Sequence, residues 1–203
     1  MKTKTILVTL TLLSTLSAVS AQERLSREET LKYAYAVSLD LKQLMGTPIP
    51  TDVDVKQSVA LRDGEFGGMV MPEAKLAAEQ IANAKGEVVP VGQLWLYNLA
   101  PMREGNAVDT DRLRLATVSS EGNEVKLPQC ALGVRRNSSG ALELAVFGKS
   151  KEPLVSVPLK TLEDKPAKPG IEVEAERDSN SGRITLTLVG KYKATIEVTQ
   201  LSL

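Results

Sequence analysis

Residues 182–201 constrain the fold more than any other stretch. Ile184, Leu186 and Leu188 alternate with Arg183, Thr185 and Thr187. After Gly190-Lys191 the rhythm resumes, with Tyr192, Ala194, Ile196 and Val198 set against Lys193, Thr195, Glu197 and Thr199. A period of two buries one face of a strand and wets the other, so two such runs across a glycine-containing connection predict an antiparallel hairpin. A lone hairpin does not hold in water, and further strands must stand beside it.

Those strands are legible upstream. Residues 88–99 form the most apolar run, with Leu94 and Leu96 on one side and Trp95 and Tyr97 on the other. Apolar residues on both faces predict a central strand covered on both sides. Segments 112–118, 124–127, 131–136, 141–147, 154–159 and 171–177 follow as strands. The second pair flanking Asn137-Ser138-Ser139-Gly140 reads as a hairpin, and Pro158 predicts an edge position for 154–159. Residues 100–110 are expected as a loop. Residues 161–170, with Pro166, Pro169 and Gly170, are expected as a crossover within one domain rather than a linker, because the three strands after them are too few for a core. About nine strands at intervals of roughly 8–12 residues predict an antiparallel β-sandwich or open barrel.

The front of the chain has a different rhythm. Ser26 and Glu29 form a capping-box pattern before Leu31, Ala34, Val37, Leu41 and Leu44, with Tyr33, Leu39 and Met45 widening the apolar side, so a helix of about 19 residues ending at Gly46 is expected. A small hairpin follows, with strands at 56–61 and 68–71 around Asp63-Gly64. Pro72 then suits the first position of a second helix running to Lys85, with Leu76, Ala77, Ile81 and Ala84 facing in. The whole reads as an α+β, mostly β chain: residues 22–87 as a small helix–hairpin–helix region on or beside the sheet, and 88–203 as the sandwich-like part.

Residues 1–21 read as an export leader. Lys2 and Lys4 precede an apolar core at 6–16, and Val19-Ser20-Ala21 offers a small-residue cleavage site before Gln22. The apolar run is shorter than the roughly 18 residues expected of a membrane span. The implied location is periplasmic or extracellular. Removing Lys2 and Lys4 from 25 basic residues leaves 23 against 25 acidic ones, so no basic excess draws nucleic acid or anionic lipid.

Residue types then narrow the chemistry. The chain has no histidine and one cysteine, Cys130, which rules out a Ser–His–Asp relay, an internal disulfide and a structural zinc site, and no cofactor is implied. Cys130 is expected to be a small buried apolar residue. Asp52/Asp54 and Asp109/Asp111 are the weak candidates for a hard cation, and Asp178-Ser179-Asn180-Ser181-Gly182 reads as a turn. A carboxylate-dependent glycoside hydrolase would draw on Glu65, Asp109, Asp111 and Glu121, although sequence pairs none of them. Trp95 and Tyr97 are the binding candidates, as a same-face aromatic pair, or else a second apolar layer under a helix. Arg112 and Arg114 share a face that would suit an acidic partner. The function expected is a non-catalytic exported module that binds another envelope or extracellular protein or serves a structural role; a glycan is the less favoured ligand.

Overall fold

The structure, a computed structural model, describes residues 22–41, 48–120, 123–163, 165–178 and 180–202. The expected leader and the end of the first expected helix lie outside the described residues. Glu121 does too.

The first helix, α1 (Arg27–Leu41), begins as its capping pattern predicts. The Glu29 amide donates to Ser26 Oγ at 3.2 Å, and the Ser26 amide donates back to Glu29 Oε2 at 3.1 Å, so two orphan donors at the helix start are satisfied reciprocally. The remaining chain is mostly strand. Among the described residues it runs β1 (Glu23–Arg24), β2 (Val59–Asp63), β3 (Phe66–Pro72), helix α2 (Ala78–Ala82), β4 (Val89–Tyr97), β5 (Leu99–Arg103), β6 (Asn106–Ala107), β7 (Leu115–Ser120) and β8 (Asn123–Arg136). It continues through β9 (Leu142–Phe147), β10 (Val155–Pro158), β11 (Lys160–Thr161), β12 (Ile171–Asp178), β13 (Ser181–Leu188) and β14 (Tyr192–Gln200).

These strands make two antiparallel sheets. Sheet one has the order β1-β2-β3-β4-β8-β9-β10, with β7 also on β8; sheet two has the order β12-β13-β14-β5-β6, with β11 also on β14. The arrangement is a sandwich, not a closed barrel. Its core lies between the sheets, where Leu94, Leu96, Leu132 and Leu144 of sheet one meet Ile184, Leu186, Leu188 and Ile196 of sheet two. The apolar side of the last hairpin is buried as its period of two predicts, while Thr187, expected on the wet side, is buried as well. After 161–170 the chain returns to the same sheet as β5, since β14 pairs with β5.

Several expectations are corrected. First, 88–99 is not one strand. Asn98 takes a left-handed conformation (φ 55°), which asparagine tolerates, and there the chain leaves sheet one for sheet two. The Asn98 side chain donates to the Glu65 carbonyl at 2.8 Å, and its own carbonyl accepts from the Leu201 amide at 2.9 Å. Second, 100–110 holds the strands β5 and β6, turning at Glu104-Gly105. Third, Pro72 closes β3 instead of opening a helix, and α2 has only 5 residues. Proline suits a strand end as well as a helix start, because either place forgives the missing donor. Gly92 lies opposite it at φ 147°, where a Cβ would lie 2.3 Å from the Met71 carbonyl oxygen. Fourth, the expected strand at 56–61 starts later, because Val55–Gln57 is a 3-10 turn capped by Asp54.

Segments 124–127 and 131–136 are one strand, β8. Pro128 marks its change of partner: it faces Leu115 of β7, and from Gln129 onward the strand pairs with β4. The outer edge is β10, as Pro158 predicts. Arg136, at the end of β8, holds α2 in place. Its guanidinium donates to the carbonyls of Ala84 (2.9 Å), Ala82 (3.0 Å) and Gly140 (2.8 Å). A cation on the last carbonyls of a helix is favourable.

Candidate functional site

Alternation along β4 buries Leu94 and Leu96 between the sheets and turns Gln93, Trp95 and Tyr97 to the opposite face. α1 lies across that face. Its Ala34 and Val37 form a second apolar cluster with Ala60, Met69, Met71, Trp95, Ala116 and Val118. Trp95 is 2% exposed. Its Nε1 donates to Gln93 Oε1 at 3.1 Å, and Gln93 Nε2 donates to Thr51 Oγ1 at 2.7 Å. An indole N–H buried this way has a partner, as burial requires. Of the expected aromatic pair, only Tyr97 reaches solvent, at 41%.

Tyr97 has company that the sequence reading did not find. Tyr33 and Tyr35, 43% and 49% exposed, stand on α1. With Tyr97 they are the exposed large hydrophobic side chains among the described residues, and they occupy the α1-bearing side of sheet one. Tyr33 was expected to widen the buried face. Residues 33 and 35 fall about 100° to either side of buried Ala34 on a helix, so they flank the contact instead of entering it. That geometry was available from the helical period.

Arg112 and Arg114 do not form an exposed row. Arg112 precedes β7, donates to the Pro153 carbonyl at 3.2 Å and lies 3.8 Å from Glu152. Arg114 is 8% exposed, and burial lowers its guanidinium pKa from the ordinary value. The acidic candidates beside them work through their backbone. The Asp109 carbonyl accepts from the Arg112 amide at 3.0 Å, and the Asp111 carbonyl accepts from Lys149 Nζ at 2.8 Å. Among the described residues no three His, Cys, Asp or Glu side chains gather as a metal site there or elsewhere. Asp54, the other cation candidate, spends its carboxylate on the 3-10 turn, accepting from the Lys56 amide and Gln57 Nε2, each at 2.9 Å.

Among the described residues, cavities lie beside sheet one. The first, between β2–β3 and β12–β13, has a volume of about 50 Å³. Small-molecule sites commonly span about 300–1,000 Å³, so this space suits water or one side chain. Arg177 crosses it, 3.5 Å from Asp63 and 4.5 Å above the Phe66 ring. The second cavity, of about 360 Å³, lies between the N-terminal segment, the 3-10 turn and the crossover, and Arg24, Arg27, Thr30, Gln57 and Ser58 line it. Its acid, Glu172, lies 3.8 Å from Lys168.

Among the described residues Glu73 has a carboxyl whose pKa is raised, by burial; the hydrogen bonds from the Asp52 amide oppose this, and the Asp52 charge adds a smaller upward push. It lines neither cavity. Both its oxygens accept from the Asp52 amide, at 3.0 and 2.9 Å, which ties the 49–54 segment to the end of β3. Cys130 is fully buried in the core, and burial pushes its thiol up to about 12. No protein-family model matches this chain, and no curated protein or solved structure matches it.

Proposed function

We propose that this chain is an exported, non-catalytic binding module of the cell envelope, and that the α1-bearing side of sheet one is its recognition face. One observation carries the reading: among the described residues the exposed large hydrophobic side chains are Tyr33, Tyr35 and Tyr97, all on that side. Tyrosine gives a broad apolar contact and keeps a polar tip, and it is enriched where proteins meet. The opposite face of the sandwich has another character. There Arg183 bonds Glu176 at 2.6 Å, Lys193 approaches Glu174 at 3.5 Å, and the hydroxyls of Thr185 and Thr195 lie 3.0 Å apart. That face satisfies itself and suits water. A protein partner fits better than a glycan, because none of the three tyrosines lines either cavity. The basic leader and small-residue cleavage site support export.

The test is crosslinking of the exported protein in the intact envelope, comparing the natural chain with a Tyr33→Ala/Tyr35→Ala/Tyr97→Ala variant. A specific partner held by the natural chain should bind the variant at least about tenfold more weakly, the loss expected when one central aromatic contact disappears. Undiminished binding by the triple variant, or retention by a glycan instead of a protein, sinks the assignment. Recovery of the chain in the cytoplasm sinks the export half.

A further inference from the structure

The predicted cleavage point falls directly before a glutamine, and the structure shows where that glutamine sits. We propose that Gln22 is a modification site, at which the mature chain begins and closes to pyroglutamate. This rests on the export reading above, since the reaction needs a free α-amine on residue 22.

The backbone is paired almost up to that amine. Glu23 and Arg24 face Arg62 and Leu61 across β1 and β2, and the Leu25 amide donates to the Ala60 carbonyl at 3.1 Å. Gln22 lies just outside this pairing. The side chain is half-buried at the mouth of the small cavity, beside Leu61, Phe66 and Val173. Its Oε1 is buried without a hydrogen-bond partner among the described residues. An amide oxygen so placed is held at a cost.

Charges of both signs surround the cavity. Asp63 lies against Arg177 at 3.5 Å and Glu176 against Arg183 at 2.6 Å, while Arg62 Nε donates to the Gly64 carbonyl at 3.2 Å. Glu23 is exposed beside them. Arg62, Arg177 and Arg183 are thereby set against Asp63, Glu176 and the adjoining Glu23, so the surroundings of Gln22 carry no excess of either sign.

The step balances without any oxidant or reductant. The α-nitrogen attacks Cδ of its own side chain, the N–Cδ bond forms and the Cδ–Nε2 bond breaks. One proton passes to the departing nitrogen, and ammonia leaves. The product is an uncharged five-membered lactam that keeps the carbonyl oxygen. Two strongly hydrated groups, the ammonium and the amide NH2, are gone from the edge of an apolar cavity.

The test uses the full chain, expressed with its leader in a bacterial host and purified from the exported fraction. Intact mass should fall about 17 Da below that of the unmodified 22–203 chain, the loss of ammonia, and Edman sequencing should be blocked. Treatment with pyroglutamyl aminopeptidase should then expose Glu23. Gln22→Ala should begin at residue 22 with no mass deficit and a free amine. Gln22→Glu, which can close only by losing water from a carboxylate, should stay open over the same period. A natural chain that begins at Gln22 and keeps its amine overturns the modification and leaves the export reading intact. A chain that retains residues 1–21, or starts elsewhere, overturns both.

Discussion

Trp95 offers the sharpest test of the packing that defines the proposed face. It is the chain's only tryptophan, so emission reports this single site. At 2% exposure, with Nε1 bonded to Gln93, its fluorescence should be blue-shifted and shielded from iodide and acrylamide in the native state. A fully buried tryptophan removes about 150–250 Å² from water, roughly 4–6 kcal/mol at about 25 cal/mol per Å². Truncation to alanine in cores costs about 3–5 kcal/mol, a large share of a total of about 5–15. Trp95→Ala should therefore lower the urea midpoint by about 2 M, followed by far-UV circular dichroism because the variant has no tryptophan. Trp95→Phe separates the ring from its N–H. It keeps most of the apolar contact but leaves Gln93 Oε1 unpaired in a buried site, a cost of about 1–3 kcal/mol. In a Gln93→Met background that extra cost should vanish, and the coupling between the two sites measures the hydrogen bond. A native emission as red and as quenchable as that of the unfolded chain refutes the reasoning. So does a loss of less than about 1 kcal/mol for Trp95→Ala, and either result would return Trp95 to the recognition surface.

Three further outcomes follow from single residues. Arg136→Ala removes three charged hydrogen bonds to the carbonyls that hold α2 and the 137–140 turn, and should cost about 1.5–3 kcal/mol in a denaturant melt; Arg136→Lys, which cannot span all three, should recover only part of it. Cys130, with its thiol at about 12 and no exposure, should ignore a thiol reagent in the native protein and react once urea unfolds it. Glu73 has a raised pKa, so its contribution to stability is full below its unfolded value, near 4.5, and is lost as pH rises through the folded value. Stability curves of Glu73→Gln should lack that rise on acidification from neutral pH, and identical curves for the two proteins would refute its assignment to Glu73.

Much of the fold was legible because strand periodicity is a statement about burial. Ile184, Leu186 and Ile196 announce their buried face, and Ser26 with Glu29 announces the start of α1, since each depends only on neighbours in sequence. Periodicity does not say which strand lies alongside. The passage of the chain between sheets at Asn98 is set by one left-handed residue and two hydrogen bonds to partners 33 and 103 positions away in sequence, Glu65 and Leu201. Pro72 was ambiguous for a physical reason, because a missing N–H is tolerated at a helix start and at a strand end alike. The aromatic pair shows the same limit at the candidate site. Alternation correctly put Trp95 and Tyr97 on one face of β4, but whether that face is open depends on where α1 lies.

That dependence ties the proposed surface to the C-terminal hairpin. Sheet one presents Trp95 outward only because Leu94 and Leu96 are drawn inward against Ile184, Leu186 and Ile196. The inward pull needs sheet two to lie directly opposite, and the chain reaches it three residues after Trp95, at Asn98. There the end of β14 secures the crossing: Thr199 and Gln200 pair with Ala100 and Leu99, and the Leu201 amide closes on the Asn98 carbonyl. Weakening this last strand should therefore disturb the α1-bearing face on the far side of the sandwich, although no residue of β14 belongs to it. Trp95 emission is the natural readout of that coupling. A variant such as Ile196→Ala, which opens the core by about 2–5 kcal/mol, should shift the emission along with global unfolding and not before it. A tryptophan signal that changes in a separate, earlier transition would mean that α1 and its face come away while the two sheets stay together.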